Sequence, residues 1–336
     1  MLYIIVAILA FGILIIIHEL GHFIMAKVNG VKVEEFSIGM GPKLLSKKGK
    51  ETEYLIKLLP IGGYVKMLGE DSSVEDERSF SSKTPLRRMS IIIAGVIMNY
   101  ILGILIFSLI SFNFGYTKPI LNNVLDNTPA SQSGLQKGDE IVKIDDTKVF
   151  IAKDILVGLY ISKEEDIDLT IKRNGEILNY NVIPLEEDGR KSIGIEFEQS
   201  KNHDFIGSVK QGLKETASCV SQTFIGLRMI FTGEANLKKD VGGPITIIKM
   251  TTATAKAGVW SLLSFMAFIS VNLAVMNLLP IPALDGGWCV ILLIELITRR
   301  KVPEKIVEGL NAFGFMLLMG LMLLVTVKDI LFPIKF

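Results

Sequence analysis

The sequence predicts a multi-pass α-helical membrane protein with four transmembrane helices and a mostly β domain inserted between the second and third. Three observations carry this expectation. Hydrophobic residues make up 49% of the 336, and the mean hydropathy of +0.45 is too high for an ordinary soluble enzyme. Four stretches, 2–26, 89–112, 257–279 and 309–327, are apolar over the roughly 20 residues needed to cross a hydrocarbon core. Between the second and third lie strand-like runs at 140–144, 167–171 and 180–183, with Asn174-Gly175 as a hairpin turn.

The first span opens on an apolar run, 2–17, that closes in His18-Glu19-Leu20-Gly21-His22. It lacks the basic leader and small-residue cleavage site of a secretory signal, so it is expected to be retained. On a helix, positions i and i+4 share a face. The two imidazoles can therefore grip one metal ion while Glu19 stands beside them as a general base. Ionisable groups are expensive in hydrocarbon, and such groups are functional candidates by default. The only other histidine, His203, lies in a polar stretch, which makes a carboxylate the expected third ligand. Catalytic zinc commonly takes two histidines and one carboxylate and keeps a fourth position open. Asp285 is the candidate, within Asn277-Leu-Leu-Pro280-Ile-Pro282-Ala-Leu-Asp285-Gly286-Gly287, where the glycines are expected to permit a tight turn.

After the first span, 52–59 alternates polar and apolar residues before Pro60-Ile-Gly62-Gly63-Tyr64-Val65-Lys66-Met67. This reads as two short strands around a Pro/Gly turn. An exposed edge there, at Gly62 and Gly63, would suit pairing with an extended substrate, and an ordinary surface hairpin fits equally. Residues 70–78 read as a solvated acidic loop. Beyond the insert, Ile206, Val209, Leu213, Thr216, Val220, Phe224, Leu227 and Phe231 recur at helical spacing. That pattern fits an amphipathic helix on the membrane surface, or one packed on the insert.

Basic residues flank the first connection (Lys27, Lys32, Lys43, Lys47, Lys48, Arg87, Arg88) and the third (Arg299, Arg300, Lys301). Both connections are therefore assigned to the cytoplasm. Both termini and the insert then lie outside the cell, and His18, His22 and Asp285 fall in the cytoplasmic half of the membrane. The net charge of +1 gives no footprint for nucleic acid. Cys219 and Cys289 lie far apart and are read as buried thiols. The expected divisions are 1–112 (first membrane part), 113–200 (insert), 201–256 (surface helix and connector) and 257–336 (second membrane part).

These residues resemble the site-2 proteases, zinc intramembrane proteases, and in particular their bacterial RseP-type subgroup. The resemblance rests on 18–23, Gly30 to Gly39, Pro60 to Met67, Ala94-Gly95 with Asn99, and the 277–287 motif. It implies Zn²⁺ held by His18, His22 and Asp285, with Glu19 catalytic. It also implies that Asn277, Pro280 and Pro282 handle substrate. Asn277 is expected to donate to substrate backbone or a developing oxyanion, or else to bond a neighbouring helix; Asn99 carries the same alternatives. Val96 departs from the family, many of whose members have proline there. Thr128-Pro-Ala-Ser-Gln-Ser-Gly134-Leu135-Gln-Lys-Gly138-Asp139-Glu-Ile141 resembles a PDZ domain, of which one copy fits.

The implied partners are single-pass membrane proteins, anti-sigma factors or signal-peptide remnants, cleaved in the lipid of a bacterial cell membrane. The PDZ-like insert would contact or exclude their extracellular parts. Two other readings compete on sequence: a scaffold that displays the insert with an inert metal motif, and a surface-tethered soluble zinc protease.

Overall fold

Uniformly apolar stretches leave no polar face for a helix to turn to water, so such helices end up either in a core or in lipid. The computed structural model describes residues 2–70, 75–162, 165–187, 190–201, 203–238 and 240–334. The expected acidic loop at 70–78 thus lies partly outside the described residues. In chain order the elements are α1 (Leu2–Val28), β1 (Val33–Lys48), β2 (Glu53–Met67), α2 (Pro85–Phe114), β3 (Thr117–Val124), α3 (Pro129–Gln132), β4 (Glu140–Ile144), β5 (Thr147–Lys148) and α4 (Ala152–Ile161). They continue as β6 (Ile167–Arg173), β7 (Glu176–Val182), β8 (Leu185–Glu187), β9 (Arg190–Ser192), β10 (Ile195–Gln199), α5 (Phe205–Phe231), α6 (Pro244–Ala257), α7 (Val259–Leu278), α8 (Asp285–Thr298) and α9 (Glu304–Leu331). Among the described residues, four helices are long and apolar enough to cross a membrane: α1 over Ile5–Val28, α2, α7 and α9.

The chain divides into two units, one of residues 1–103 with 223–336 and the other of 104–222. In the first, α1 and α2 approach to backbone contact. A Cβ at Gly21 would sit 2.4 Å from the Ala94 carbonyl oxygen. Val96 is 2% exposed within an unbroken α2, so valine in place of proline leaves a straight helical ladder there. Proline at the first position opens α6, whose free N–H groups at Gly243 and Thr246 are accepted by the Asp329 carboxylate of α9 at 3.1 and 2.9 Å.

The two short strands expected within 52–67 are instead one long strand, β2, paired with β1, which the sequence reading did not identify as a strand. Residues Glu35 to Ile38 lie between two stretches of β2. They meet Lys66 to Gly63 on one side and Glu53 to Ile56 on the other, while 43–48 pairs with 57–53. Both strands fold back at left-handed glycines, Gly39 and Gly41 in β1 and Gly62 in β2. The 63–67 stretch thereby becomes an outer strand beside α1. Lys27 and Arg78 both bond Glu51 in the turn between β1 and β2 and hold its carboxyl down at about 2, which ties the turn to the end of α1.

Arg88 of α2 meets Glu295 of α8 at 2.7 Å, with both side chains under 10% exposed (8% and 6%), and Glu295 also accepts the Val302 N–H. Removing one partner would leave a buried charge uncompensated. Arg88→Met is expected to destabilise the first unit by about 3–5 kcal/mol, and pairing it with Glu295→Leu to restore most of that loss. Thermal unfolding in detergent checks this; equal midpoints for the single and double variants would contradict it.

The second unit is built on a six-stranded sheet in the order β10-β3-β4-β6-β7, with β5 on β4. Leu121, Ile141, Ile144, Ile155, Ile167, Leu169 and Ile171 fill its core. Asn174 and Gly175 both have positive φ, 50° and 92°, and close the β6–β7 hairpin as a type I′ turn. Asp154 in the first turn of α4 accepts the Phe150 and Ile151 N–H groups on one oxygen, and Ser218 Oγ and Gln222 Nε2 on the other. The first half of α5 is thereby packed on the insert. Cys219 on the same helix is buried, which pushes its thiol up to about 12, whereas Cys289 is half-buried rather than buried.

Candidate metal centre

Helical spacing places His18 and His22 one above the other on α1, both buried, with their ring centroids 4.8 Å apart. Their Nε2 atoms are 3.2 Å apart, and Asp285 Oδ2 lies 3.1 Å from the first and 3.6 Å from the second. Asp285 Oδ2 is buried and has no hydrogen-bond partner. Four ligands about 2.0–2.1 Å from a tetrahedral zinc ion stand roughly 3.3–3.4 Å from one another. Three converging atoms at that spacing, one of them an orphaned carboxylate oxygen, fit a zinc ion. Among the described residues they form the one His/Cys/Asp/Glu group compact enough to hold a metal, and His203 is not part of it.

Asp285 reaches the histidines because α7 stops at Leu278, before Pro280, and α8 begins at Asp285 itself. The connection turns at Ala283, with φ at 71°. Gly286 and Gly287, expected to supply a turn, have ordinary helical backbone. Their role is close approach: a Cβ on Gly286 would lie 2.2 Å from the Leu279 carbonyl oxygen, and one on Gly287 2.4 Å from that of Ile281.

The floor of the pocket is α2. A Cβ at Gly95 would lie 2.5 Å from His22 Nε2 and 2.8 Å from His18 Cε1, so only glycine leaves room for both rings. His22 Nδ1 sits 2.9 Å from the Ile91 carbonyl oxygen and donates to it, which leaves the Nε2 lone pair facing the pocket. Asn99, fully buried, places its amide nitrogen 3.3 Å from His18 Nδ1. The sequence reading assigned no such part to Gly95 or Ile91. A glycine's absent side chain and a main-chain carbonyl leave no mark in residue type beyond the Ala94-Gly95 pair itself.

Glu19 is half-buried and faces the outer strand of the sheet: a Cβ at Gly63 would be 3.4 Å from Glu19 Cγ and 2.8 Å from the Ser37 carbonyl oxygen. Gly62, at φ 90°, makes the bend before it. Asn277 brings its amide nitrogen within 3.3 Å of His18 Nε2, at the pocket itself. Pro280 is exposed on the connecting loop, and Pro282 turns its carbonyl to α9, 2.1 Å from where a Cβ on Gly314 would stand. The structure thus gathers Glu19, Gly63 and Asn277 around His18, His22 and Asp285 and leaves the two prolines in the loop that carries Asp285.

Residues 6–321 match the model of peptidase family M50. The chain belongs to that family. It is 52% identical over 334 residues to a Clostridium perfringens protein named as a zinc metalloprotease, covering 99% of this chain and all of the relative. It is 30% identical to the regulator of sigma-W protease RasP of Bacillus subtilis, covering 96% of this chain and 97% of the relative. It is 31% identical to the zinc metalloprotease RasP of Geobacillus kaustophilus, with 96% of each covered. The M50 family is that of the site-2 proteases, so the resemblance read from the motifs holds. The chain is a bacterial zinc metalloprotease of the intramembrane class, with Zn²⁺ as its metal.

Proposed function

We propose that His18, His22 and Asp285 hold the zinc ion and that Glu19 is the general base in cleavage of single-pass membrane proteins. The observation that carries this reading is the convergence of the three ligand atoms, all within 4.8 Å of one another, from helices more than 250 residues apart in sequence. Zinc at such a site acts as a Lewis acid on the attacking water and the scissile carbonyl. Glu19, next to the first histidine on α1, takes the proton from that water and returns it to the leaving amine. Asn277, whose amide already reaches the pocket, is placed to donate to the oxygen on which charge develops.

A peptide bond in a helix is shielded by its own hydrogen bonds, so the substrate must be extended before it is cut. The 63–67 stretch of β2, outermost in its sheet and adjacent to Glu19, offers a main-chain edge for that extended segment. Gly62 and Gly63 keep that edge free of side chains next to the base. Pro280 and Pro282 would act by holding the loop that delivers Asp285.

Anti-sigma factors are the favoured substrate class, because one relative is named a regulator of sigma-W protease; signal-peptide remnants are the second class. The charge pattern supports termini and PDZ-like insert outside the cell, with the zinc toward the cytoplasm. With the insert across the membrane from the site, excluding bulky ectodomains is the role it suits best.

The test is zinc content of the purified chain. One zinc per chain is expected for the native protein and well under that for Asp285→Ala. A zinc-free native protein, or full retention by the variant, would remove the basis for this ligand set.

A further inference from the structure

Besides Asp285, the His18 ring meets two groups of α2, the Gly95 backbone and the Asn99 side chain. Both Nε2 atoms point at Asp285, and a neutral imidazole that offers Nε2 as a ligand carries its proton on Nδ1. His22 satisfies that requirement through the Ile91 carbonyl. Facing His18 Nδ1 at 3.3 Å is the carboxamide NH₂ of Asn99, which sets one donor against another when Nδ1 carries the proton. The other end of the same amide, Oδ1, is buried and has no partner. The two ends of an amide are distinguished by their partners rather than by their shape. Rotating this one by a half turn converts the clash into an Nδ1–H···Oδ1 hydrogen bond and gives the orphaned acceptor a donor.

From this geometry we propose that Asn99 is a positioning residue for the metal centre: its side-chain oxygen accepts the His18 Nδ1 proton, fixes the tautomer and aims Nε2 at the ion. The inference rests on the ligand assignment proposed above. Asn99 is 0% exposed, so it touches neither substrate nor water. Its own backbone is pinned, because Ser270 Oγ of α7 donates to the Asn99 carbonyl at 2.9 Å. The two histidines are thus backed by main-chain groups at Ile91 and Gly95 and by the Asn99 side chain, all supplied by α2. Partners of this kind typically change metal affinity by about 10–100-fold when removed.

The experiment compares the full-length native chain with Asn99→Leu, Asn99→Asp and Asp285→Asn in detergent, titrating zinc against a competing chelator. Asn99→Leu keeps the volume and loses the acceptor, and its zinc affinity is expected to fall about 10–100-fold. Asn99→Asp keeps an acceptor and is expected to hold zinc as tightly as the native chain. A role in helix packing alone would be served worse by a buried carboxylate than by leucine, so the order of the two variants separates positioning from packing. Native-like zinc affinity in Asn99→Leu would overturn the proposal, as would a loss in Asn99→Asp equal to that in Asn99→Leu. If Asn99→Leu fails to fold, Asn99→Asp still decides, because weakened zinc binding in a folded chain overturns it. A native chain that binds no zinc, or an Asp285→Asn variant that binds it fully, would instead strike the ligand assignment.

Discussion

Glu19→Gln should abolish cleavage of a helical membrane substrate while zinc stays bound. Glutamine keeps the length and the hydrogen-bonding shape of the side chain but cannot take up a proton at neutral pH, and a positioned general base contributes about 10²–10⁴ in rate. The proposed ligands are untouched: His18, His22 and Asp285 converge through their own side chains, and Glu19 projects from α1 toward Gly63. Cleavage should therefore drop by at least about two orders of magnitude with zinc stoichiometry unchanged. Turnover of a purified substrate and metal analysis of the same preparation measure both quantities. Native turnover in the variant would exclude Glu19 as the base.

Gly95→Ala should cost the protein its metal although residue 95 is not a ligand. The added methyl would stand 2.5 Å from His22 Nε2, 2.7 Å from His22 Cε1 and 2.8 Å from His18 Cε1, all well inside van der Waals contact. Neither helix can easily yield, since one residue away the position of Gly21 already lies against the Ala94 carbonyl. The imidazoles must rotate instead, and with them the Nε2 lone pairs. Helix stability itself should not suffer, because alanine is the better helix former by about 1 kcal/mol. The expected result is a folded chain with little zinc and no measurable cleavage. Gly320→Ala on α9, where a Cβ would meet nothing within 4 Å, serves as the control and should be indistinguishable from the native chain. A Gly95→Ala protein with a full complement of zinc would show that the pocket adapts.

The residues that converge at the pocket were legible because each is a rare residue in an apolar setting: two histidines one helical turn apart, and an aspartate behind a proline-rich break. The four apolar helices and the Asn174-Gly175 hairpin were legible for the same local reasons. β1 was not. Its apolar alternation is interrupted by Glu34-Glu35 and by Gly39 and Gly41, and its pairing with two separate stretches of β2 is a long-range fact. Helix α6 was hidden because it runs almost directly into α7, divided from it at Gly258 with φ 122°. Helix α8 is apolar like its flanks, so composition alone merges it with the C-terminal membrane part. What sequence reasoning misjudged at Gly286 and Gly287 was the physical reason for glycine: proximity of neighbouring carbonyls, rather than backbone freedom.

The place of His18 along α1 bears on what leaves the enzyme after the cut. Leu2 to His18 covers roughly 24 Å of helix at about 1.5 Å per residue, and His18 to Val28 only about 15 Å. In a hydrocarbon layer about 30 Å thick, those 15 Å put His18 near mid-depth when Val28 marks the interface. A substrate cut at that depth, as proposed, would leave two pieces of about ten residues each within the layer, each short of the roughly 20 needed to span it, so that neither is held as the intact helix was.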